Sequence, residues 1–432
     1  MKQLPTATPD VSRPLPPFDR PAAPAGETKN VGLKAMITAF GLLVVAGCAA
    51  SGGGSSSLTP QGRHIQNIAG ALPATSPTPA PAELQQCDSG DKKDAGCHVQ
   101  KNPNVAPAKT PAGGLTPAQL RNAYGLSAIG AAAANGPTIA IVDAFEDKNA
   151  ESDLGVYRSQ FGLPACTSKN GCFTKVMMGG AKKPPGQAKK DNQGTGTANW
   201  SDEIALDLVM ASAACPTCKL LLVETGGQDL DSLAAGVNIA ATYNPASISN
   251  SWGVVEGGGN APNIDPDAQA AFNHPGIAIT ASAGDIAGQV QFPASSPFVT
   301  AVGGTTLTQD ATQSRGWSET AWAPTSSGCS IMFPTPAWQT AAGCSGRSVA
   351  DVSVIADYNP GIAVYSSAEG GWVVLGGTSA GAPFVAGLYA AAGDYGAATV
   401  GASKLYANPT GFNAVAGAAG GTLGSPNGLG AF

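Results

Sequence analysis

Apolar residues fall along the chain in two recurring patterns. Short unbroken runs bounded by Gly, Asn or Pro stand at 138–142 (TIAIV), 219–223 (KLLLV), 247–249, 277–280, 299–302 and 372–375 (WVVL). Runs of this kind, apolar without alternation, suit strands buried on both faces. Between several of them lie stretches with helical character, notably 202–213, 230–243 and 382–392. Thr116 stands directly before Pro117, a capping residue followed by one suited to the first turn, so a helix is expected to open there. Strands alternating with helices predict an α/β fold, a mostly parallel sheet with helices on both faces. In such folds chemistry gathers where strands end and loops begin. No repeat of solenoid or propeller period is present.

Before Leu115 the pattern changes. Residues 35–50 (AMITAFGLLVVAGCAA) form one apolar run, after Lys29 and Lys34 and before SGGGSSS. The run is shorter, and sooner broken, than a membrane span requires, and it suits an export signal. It ends Val45-Ala46-Gly47-Cys48, which resembles a bacterial lipobox and makes Cys48 the expected lipidation site; an ordinary secretory signal is the alternative. From 49 to 114 Ser, Gly, Pro, Ala and Thr dominate without sustained period, which predicts a disordered tether pinned by a Cys87/Cys97 loop. The expected organisation is therefore a leader over 1–48, a linker over 49–114 and one folded domain over 115–432.

Composition narrows the class. With 432 residues, 43% of them hydrophobic, the chain can bury a large core, while 57 Gly and 34 Pro mark many turns. Only 12% of residues are charged, the net charge is −6, and no Lys/Arg stripe is present, so nucleic acid is not an expected partner. Nine cysteines less Cys48 leave eight in close pairs: Cys87/Cys97, Cys166/Cys172, Cys215/Cys218 and Cys329/Cys344. Even numbers at short spacing in an exported chain read as disulfides. Cys215-Pro-Thr-Cys218 also suits a zinc half-knuckle or a redox pair, but no second half with ligand spacing follows.

The sharpest chemical feature is Gly376-Gly377-Thr378-Ser379-Ala380-Gly381-Ala382-Pro383, after a strand and before an apolar helix. It exposes a hydroxyl at a helix N-terminus, where negative charge is favoured. An α/β-hydrolase elbow would need a later His, and none follows His274. His64 and His98 fall in the expected tether, and His274 sits in a loop, so none suits a Ser-His-Asp triad. Carboxylates remain. Glu203 and Asp207, four apart, share one helical face and could divide a proton if shielded from water, Glu203 acting as base toward Ser379 and Asp207 orienting it. Asp285, at a strand end after Ala283-Gly284, could hold a proton and donate it to a developing oxyanion. The competing assignments are a solvated helix face for the pair, a simple turn for Asp285 and a loop or capping residue for His274.

Together these residues resemble the sedolisin family of serine-carboxyl peptidases, over about 115–429. The likeness rests on LTPAQLRNAYGL, the Glu203-to-Asp207 helix, Ser249-Asn250-Ser251-Trp252-Gly253, Ala283-Gly284-Asp285, FPASSPFVTAVGGT, Ala350-Asp351-Val352-Ser353, and Gly377-Thr378-Ser379 with Pro383. The resemblance implies a subtilisin-like fold, with Ser379 as nucleophile, Glu203 as general base and acid, Asp207 as its partner and Asp285 as the oxyanion acid. It also implies Asp143 and Trp252 as outer members of the hydrogen-bond network. Two departures stand out: only the Pro/Ala-rich 49–114 stretch is available where the family carries a folded propeptide, and Asn413-Ala414-Val415-Ala416 lacks the acids of the family's calcium site. No calcium or other cofactor is expected. The expectation is an exported, monomeric, lipid-anchored endopeptidase acting on proteins or peptides at acidic pH, attached to the membrane only through its N-terminus. Rival functions are a catalytically silent surface lipoprotein and an acyl hydrolase of small esters.

Overall fold

The computed structural model describes residues 94–126, 136–178, 199–257, 264–339, 344–393, 395–396, 399–408, 412–413 and 415. Two short strands, β1 (Gly96–Cys97) and β2 (Gln100–Lys101), precede helix α1 (Pro117–Ala123). Strands and helices then alternate through β3 (Thr138–Ala144), α2 (Ala150–Gln160), β4 (Phe173–Met177), α3 (Trp200–Ala214), β5 (Lys219–Thr225), α4 (Leu230–Thr242) and β6 (Ser247–Asn250). Strand β7 (Trp252–Val255), helix α5 (Pro266–Ala270), β8 (Ala278–Ser282), β9 (Gln291–Phe292), β10 (Thr300–Gln309), β11 (Trp317–Ala321) and β12 (Gly328–Cys329) follow. The chain continues with β13 (Ser348–Val349), β14 (Val352–Ile355), β15 (Ile362–Ser366), β16 (Gly371–Gly376), α6 (Gly381–Ala392) and α7 (Ser403–Ala407).

The main sheet has the order β11-β10-β8-β6-β3-β5-β4, with β14 also beside β10. Every pairing in it is parallel except β10 with β11. Each unbroken apolar run expected as a strand forms one. The run at 372–375 joins a different sheet, however: β16 lies antiparallel between β15 and β2. Helix α1 begins as expected, Thr116 and Gln119 forming a reciprocal capping box around Pro117. Helices α3 and α6 pack on each other and are buried on nearly every side, as helices apolar all round must be.

The predicted linker boundary needs correction. Residues 94–114 are threaded into the folded domain: β1 pairs with β7, β2 with β16, and Ala95, Cys97, His98 and Val99 are fully buried. This segment carries no periodic apolar face because backbone hydrogen bonds to existing strand edges hold it, and those leave no trace in a hydrophobicity pattern. His98 therefore belongs to the domain and not to a tether.

Disulfides join Cys166 to Cys172, Cys215 to Cys218 and Cys329 to Cys344, so the CxxC pair is a local bridge. Cys97 is disulfide-bonded, and Cys87 lies outside the described residues, as do the apolar run at 35–50, Cys48 and His64. Among the described residues no helix is long and apolar enough to cross a membrane.

One buried ion pair fixes the sheet to the strands that lead into the site. Arg347 and Asp351 are both fully buried and joined by two hydrogen bonds, one of 2.7 Å from Nη1 to Oδ1. Asp351 Oδ2 also accepts from the backbone of Ala301 in β10 at 2.8 Å. Arg347 in turn donates to the carbonyl of Val299 at 3.1 Å. Arg347→Ala strands a buried carboxylate, and the expected loss is about 3–5 kcal/mol of unfolding free energy. Denaturant titration of the two proteins checks this; a loss under about 1 kcal/mol, the scale of an exposed pair, would contradict it.

Candidate active site

Strand β16 runs into Gly377, whose φ of 91° opens a tight 3-10 turn over Thr378–Ala380 before α6 begins. A Cβ at Gly377 would fall 1.9 Å from the carbonyl oxygen of His98 and 2.8 Å from Asp285 Oδ2, so a glycine is required there on both conformational and steric grounds. Ser379 follows, fully buried. Its Oγ donates to Glu203 Oε2 at 2.8 Å and lies 3.4 Å from the carbonyl of Ser251.

Helix α3 brings the carboxylates. Asn199 caps it, accepting from the backbone of Ser201 and Asp202 at 2.9 and 3.2 Å. One turn separates Glu203 from Asp207, and both are fully buried. Ser251, between β6 and β7, donates its hydroxyl toward both oxygens of Asp207 at 2.9 and 2.8 Å. Asp143 closes the group from the C-terminal part of β3, also buried. Among the described residues neither oxygen of Asp143, nor Glu203 Oε1, has a hydrogen-bond donor.

Three carboxyls so placed cannot all be ionised. Two charges about 4 Å apart repel by about 4 kcal/mol even at an effective dielectric of about 20, equivalent to about three pKa units. Burial, the largest cause, and mutual repulsion hold Asp143, Glu203 and Asp207 all well above the usual carboxylate range. Two carboxylates offer only acceptors, so Glu203 and Asp207 can bond to each other only where one of them holds a proton. The cluster retains protons and can exchange one with Ser379.

Asp285 follows β8 and bonds to the turn that carries the serine. Its Oδ1 accepts from Thr378 N and Oγ1 at 2.9 and 2.8 Å, and its Oδ2 from Gln100 Nε2 at 3.0 Å. Burial pushes it up to about 6, against the lowering effect of those donors. Below that pH it holds a proton beside Gly377 and Ser379.

Each catalytic candidate read from the sequence, Ser379, Glu203, Asp207 and Asp285, stands in this one centre, with Asp143 beside it. Trp252 differs in detail: its Nε1 donates to the backbone carbonyl of Val142 at 2.9 Å, steadying β3 next to Asp143 and touching no carboxyl by hydrogen bond. His274 lies apart, facing Asn238 on α4 at 3.1 Å. Sequence reasoning missed Ser251, although it sits within the quoted SNSWG phrase; a hydroxyl two residues before that Gly was the available signal. It also missed His98 and Gln100, which no pattern marks. Among the described residues no group of three His, Cys, Asp or Glu could hold a metal ion. The Asn413–Ala416 stretch offers no carboxylate to a hard cation, and Ala414 and Ala416 lie outside the described residues.

No family model matches the sequence. Over 234 residues, 46% of this chain, it is 34% identical to kumamolisin from Bacillus sp. (strain MN-32), and the matched stretch spans 41% of that protein. The solved structure of Pseudomonas sedolisin, a serine-carboxyl proteinase complexed with two molecules of pseudo-iodotyrostatin, superposes with a TM-score of 0.58 at 22% identity. That superposition covers 74% of this chain and 96% of the sedolisin. The fold is thus the subtilisin-like α/β fold seen in that protein.

Buried acids with raised pKa values bind protons in the folded state that the unfolded chain has released. Their stabilising effect is therefore complete below the ordinary carboxylate pKa, near 4, and is lost as pH climbs through the folded values. Those stand at about 6 for Asp285 and Asp147, about 7 for Glu224 and about 8 for Asp202, burial being the largest cause in each. The thermal midpoint is expected to fall between pH 4 and 8, and Asp202→Asn to flatten the upper part of that fall. Calorimetry across this range checks both, and a midpoint rising steadily to pH 8 would contradict the first.

Proposed function

We propose that this chain, from its fold and its likeness to kumamolisin, belongs to the sedolisin family and is a serine-carboxyl endopeptidase. It hydrolyses peptide bonds of proteins or peptides through an acyl-enzyme on Ser379. The single observation that carries this reading is the 2.8 Å hydrogen bond from Ser379 Oγ to a buried Glu203, with Asp285 bonded to the turn that carries the serine. A hydroxyl needs such a partner to become a nucleophile, and no histidine takes that place.

In the proposed reaction Ser379 Oγ attacks the substrate carbonyl carbon while its proton passes to Glu203. Asp207, itself held by Ser251, keeps the Glu203 carboxyl oriented and shares the proton through their mutual hydrogen bond. Protonated Asp285 donates to the carbonyl oxygen as it becomes negative; Thr378 and Gln100 fix that carboxyl in place. Glu203 then returns the proton to the departing amine, and water releases the acyl group by the reverse sequence. Activity declines as pH rises through about 6, where Asp285 loses its donor proton, so the reaction belongs to acidic surroundings. The disulfides suit an oxidising compartment, in keeping with export and with lipid attachment at Cys48. The chain acts without metal or cofactor, as a monomer.

Cleavage of a denatured protein from pH 3 to 8 tests the reading. The wild type is expected to peak in acid, Ser379→Ala to lower kcat by about 10³-fold or more, and Asp285→Ala by about 10²–10³-fold. Equal rates for the wild type and Ser379→Ala at every pH would leave a binding scaffold as the better account.

A further inference from the structure

Among the oxygens of the buried carboxyls some are tied and some are free. Ser379 holds Glu203 Oε2, Ser251 holds both oxygens of Asp207, and Thr378 with Gln100 hold both of Asp285. Glu203 Oε1 and both oxygens of Asp143 have no donor among the described residues, and the next such oxygen along the sheet is Glu224 Oε2. Strands β3 and β5 run parallel with Asp143 opposite Glu224, so the two backbones lie about 4.8 Å apart there and both side chains stand on one face. That face is the one toward α3: Ile141 and Leu222, two residues earlier in each strand, share an apolar cluster with Ile204 and Leu208.

The second oxygen of Glu224 is held from outside. Oε1 accepts from Lys175 Nζ, on the edge strand β4, at 3.0 Å and from Asp147 N at 2.9 Å. Lys175 also donates to the Asp147 carbonyl at 2.6 Å. Its side chain is 23% exposed while that of Glu224 is fully buried. Glu224 therefore meets a partly solvated cation with one oxygen and leaves the other free next to the catalytic cluster.

We infer that Glu224 is the proton entrance of this cluster, and that protons reach Glu203 from solvent by way of Glu224 and then Asp143. The route follows from the free oxygens; its use in catalysis rests on the peptidase reading above. An oxygen already held by donors must give up a hydrogen bond to take a proton, whereas a free one need not. The terminal torsion of a glutamate is broad and roughly twofold, so a half-turn carries a proton from one end of the group to the other.

Proton affinity rises inward along the route. Burial is the largest cause at each step: it pushes Asp147, 5% exposed, up to about 6, Glu224 up to about 7, and Asp143 well above the usual carboxylate range. The other charged groups facing these three are few. Lys175 on β4 lowers Asp147 and Glu224, Glu146 and Asp153 on α2 raise Asp147, and Asp207 on α3 raises Asp143. In acid a proton is thus drawn toward Glu203. Asp202 offers the contrast: it is as deeply buried and has a free Oδ2, but it faces Ser366, Glu369 and Lys101 and not the cluster.

The transfer moves one proton and no other atom. Glu224 takes it up at the Lys175 end, turns and offers it to Asp143. Asp143, free at both oxygens, takes it on one and releases its own from the other to Glu203 Oε1. Glu224 is again a carboxylate, Lys175 stays charged, and the cluster has gained the proton that solvent lost.

Deuterium exchange into the buried carboxyls tests the route. A protonated carboxyl and its deuterated form differ in C=O stretching frequency, so rapid mixing of the full chain into D2O near pH 5, followed by infrared absorption, times the exchange. Wild type and Asp202→Asn are expected to exchange the cluster at the same rate. Glu224→Gln keeps the shape but carries no proton, so exchange must wait for rarer local opening and slows about tenfold or more; Glu224→Met gives a second proton-free comparison, and Glu224→Asp recovers part of the rate. A merely structural defect loosens packing and speeds exchange, the opposite result. Moved from about pH 7.5 to about 4, Glu224→Gln is expected to begin cleaving a denatured protein only after a lag that matches its exchange time. Exchange as fast as wild type in Glu224→Gln, or equally slowed in Asp202→Asn, overturns the route. Slowed exchange without the lag in an active enzyme overturns its use in catalysis and leaves the peptidase standing. Slowed exchange in a chain that cleaves nothing from pH 3 to 8 supports the route and sinks the peptidase reading.

Discussion

Asp143, Glu203 and Asp207 meet beneath Ser379 with no surface exposed to water, and none of the ion pairs found among the described residues includes them. Placing three carboxyls there is tolerable only if protons come with them, because desolvation penalises each charge and the charges repel one another. That requirement shapes the rest of the centre. It explains why Ser251 spends its hydroxyl on Asp207 and why folding stability and the proposed chemistry both favour acid. A histidine in place of Glu203 would carry a positive charge on accepting a proton, whereas a carboxylate accepting one becomes neutral, so a proton can enter this cluster without creating a buried cation.

The parallel sheet makes the convergence possible. Asp143 stands near the end of β3, Ser251 just past β6, and Asp285 just past β8, neighbouring strands whose C-terminal ends open on one side. Helices α3 and α6 pack on each other; α3 carries Glu203, and the 3-10 turn that leads into α6 carries Ser379. Because both helices are buried on nearly every side, their packing fixes the 2.8 Å contact more firmly than that single hydrogen bond could. The buried Arg347–Asp351 pair performs the same service for β10 and β14, the strands beyond β8.

Much of this was legible in the residues themselves. A spacing of four places Glu203 and Asp207 on one helical face whatever the rest of the fold does, and the glycines around Ser379 announce a tight turn between strand and helix. Unbroken apolar runs identified the buried strands because burial on both faces leaves no alternation to mislead. The run at 372–375 shows the limit of that inference: apolar content reports burial, and burial in a small antiparallel sheet looks the same as burial in the main one. Trp252 shows another, since a motif fixes where an indole sits but not that its N–H turns to the Val142 carbonyl instead of a carboxyl. Gln100 and His98 were invisible for a different reason. Their positions follow from backbone pairing with distant strand edges, and a segment held by its backbone can have almost any composition, even one that resembles a linker.

That segment also explains a feature of the centre that catalysis alone does not. An open peptidase cleft leaves its nucleophile accessible, yet Ser379 and Glu203 are fully buried and Asp285 is 1% exposed. The covering groups include backbone of 94–101, which pairs with β7 at one end and with β16 at the other. A strand added there protects the cluster from water and so helps raise the very pKa values that keep it protonated. Removal of that strand would admit solvent, lower those values and open the edges at the same time. Access of water to the acids and their protonation state are thereby linked through one stretch of chain.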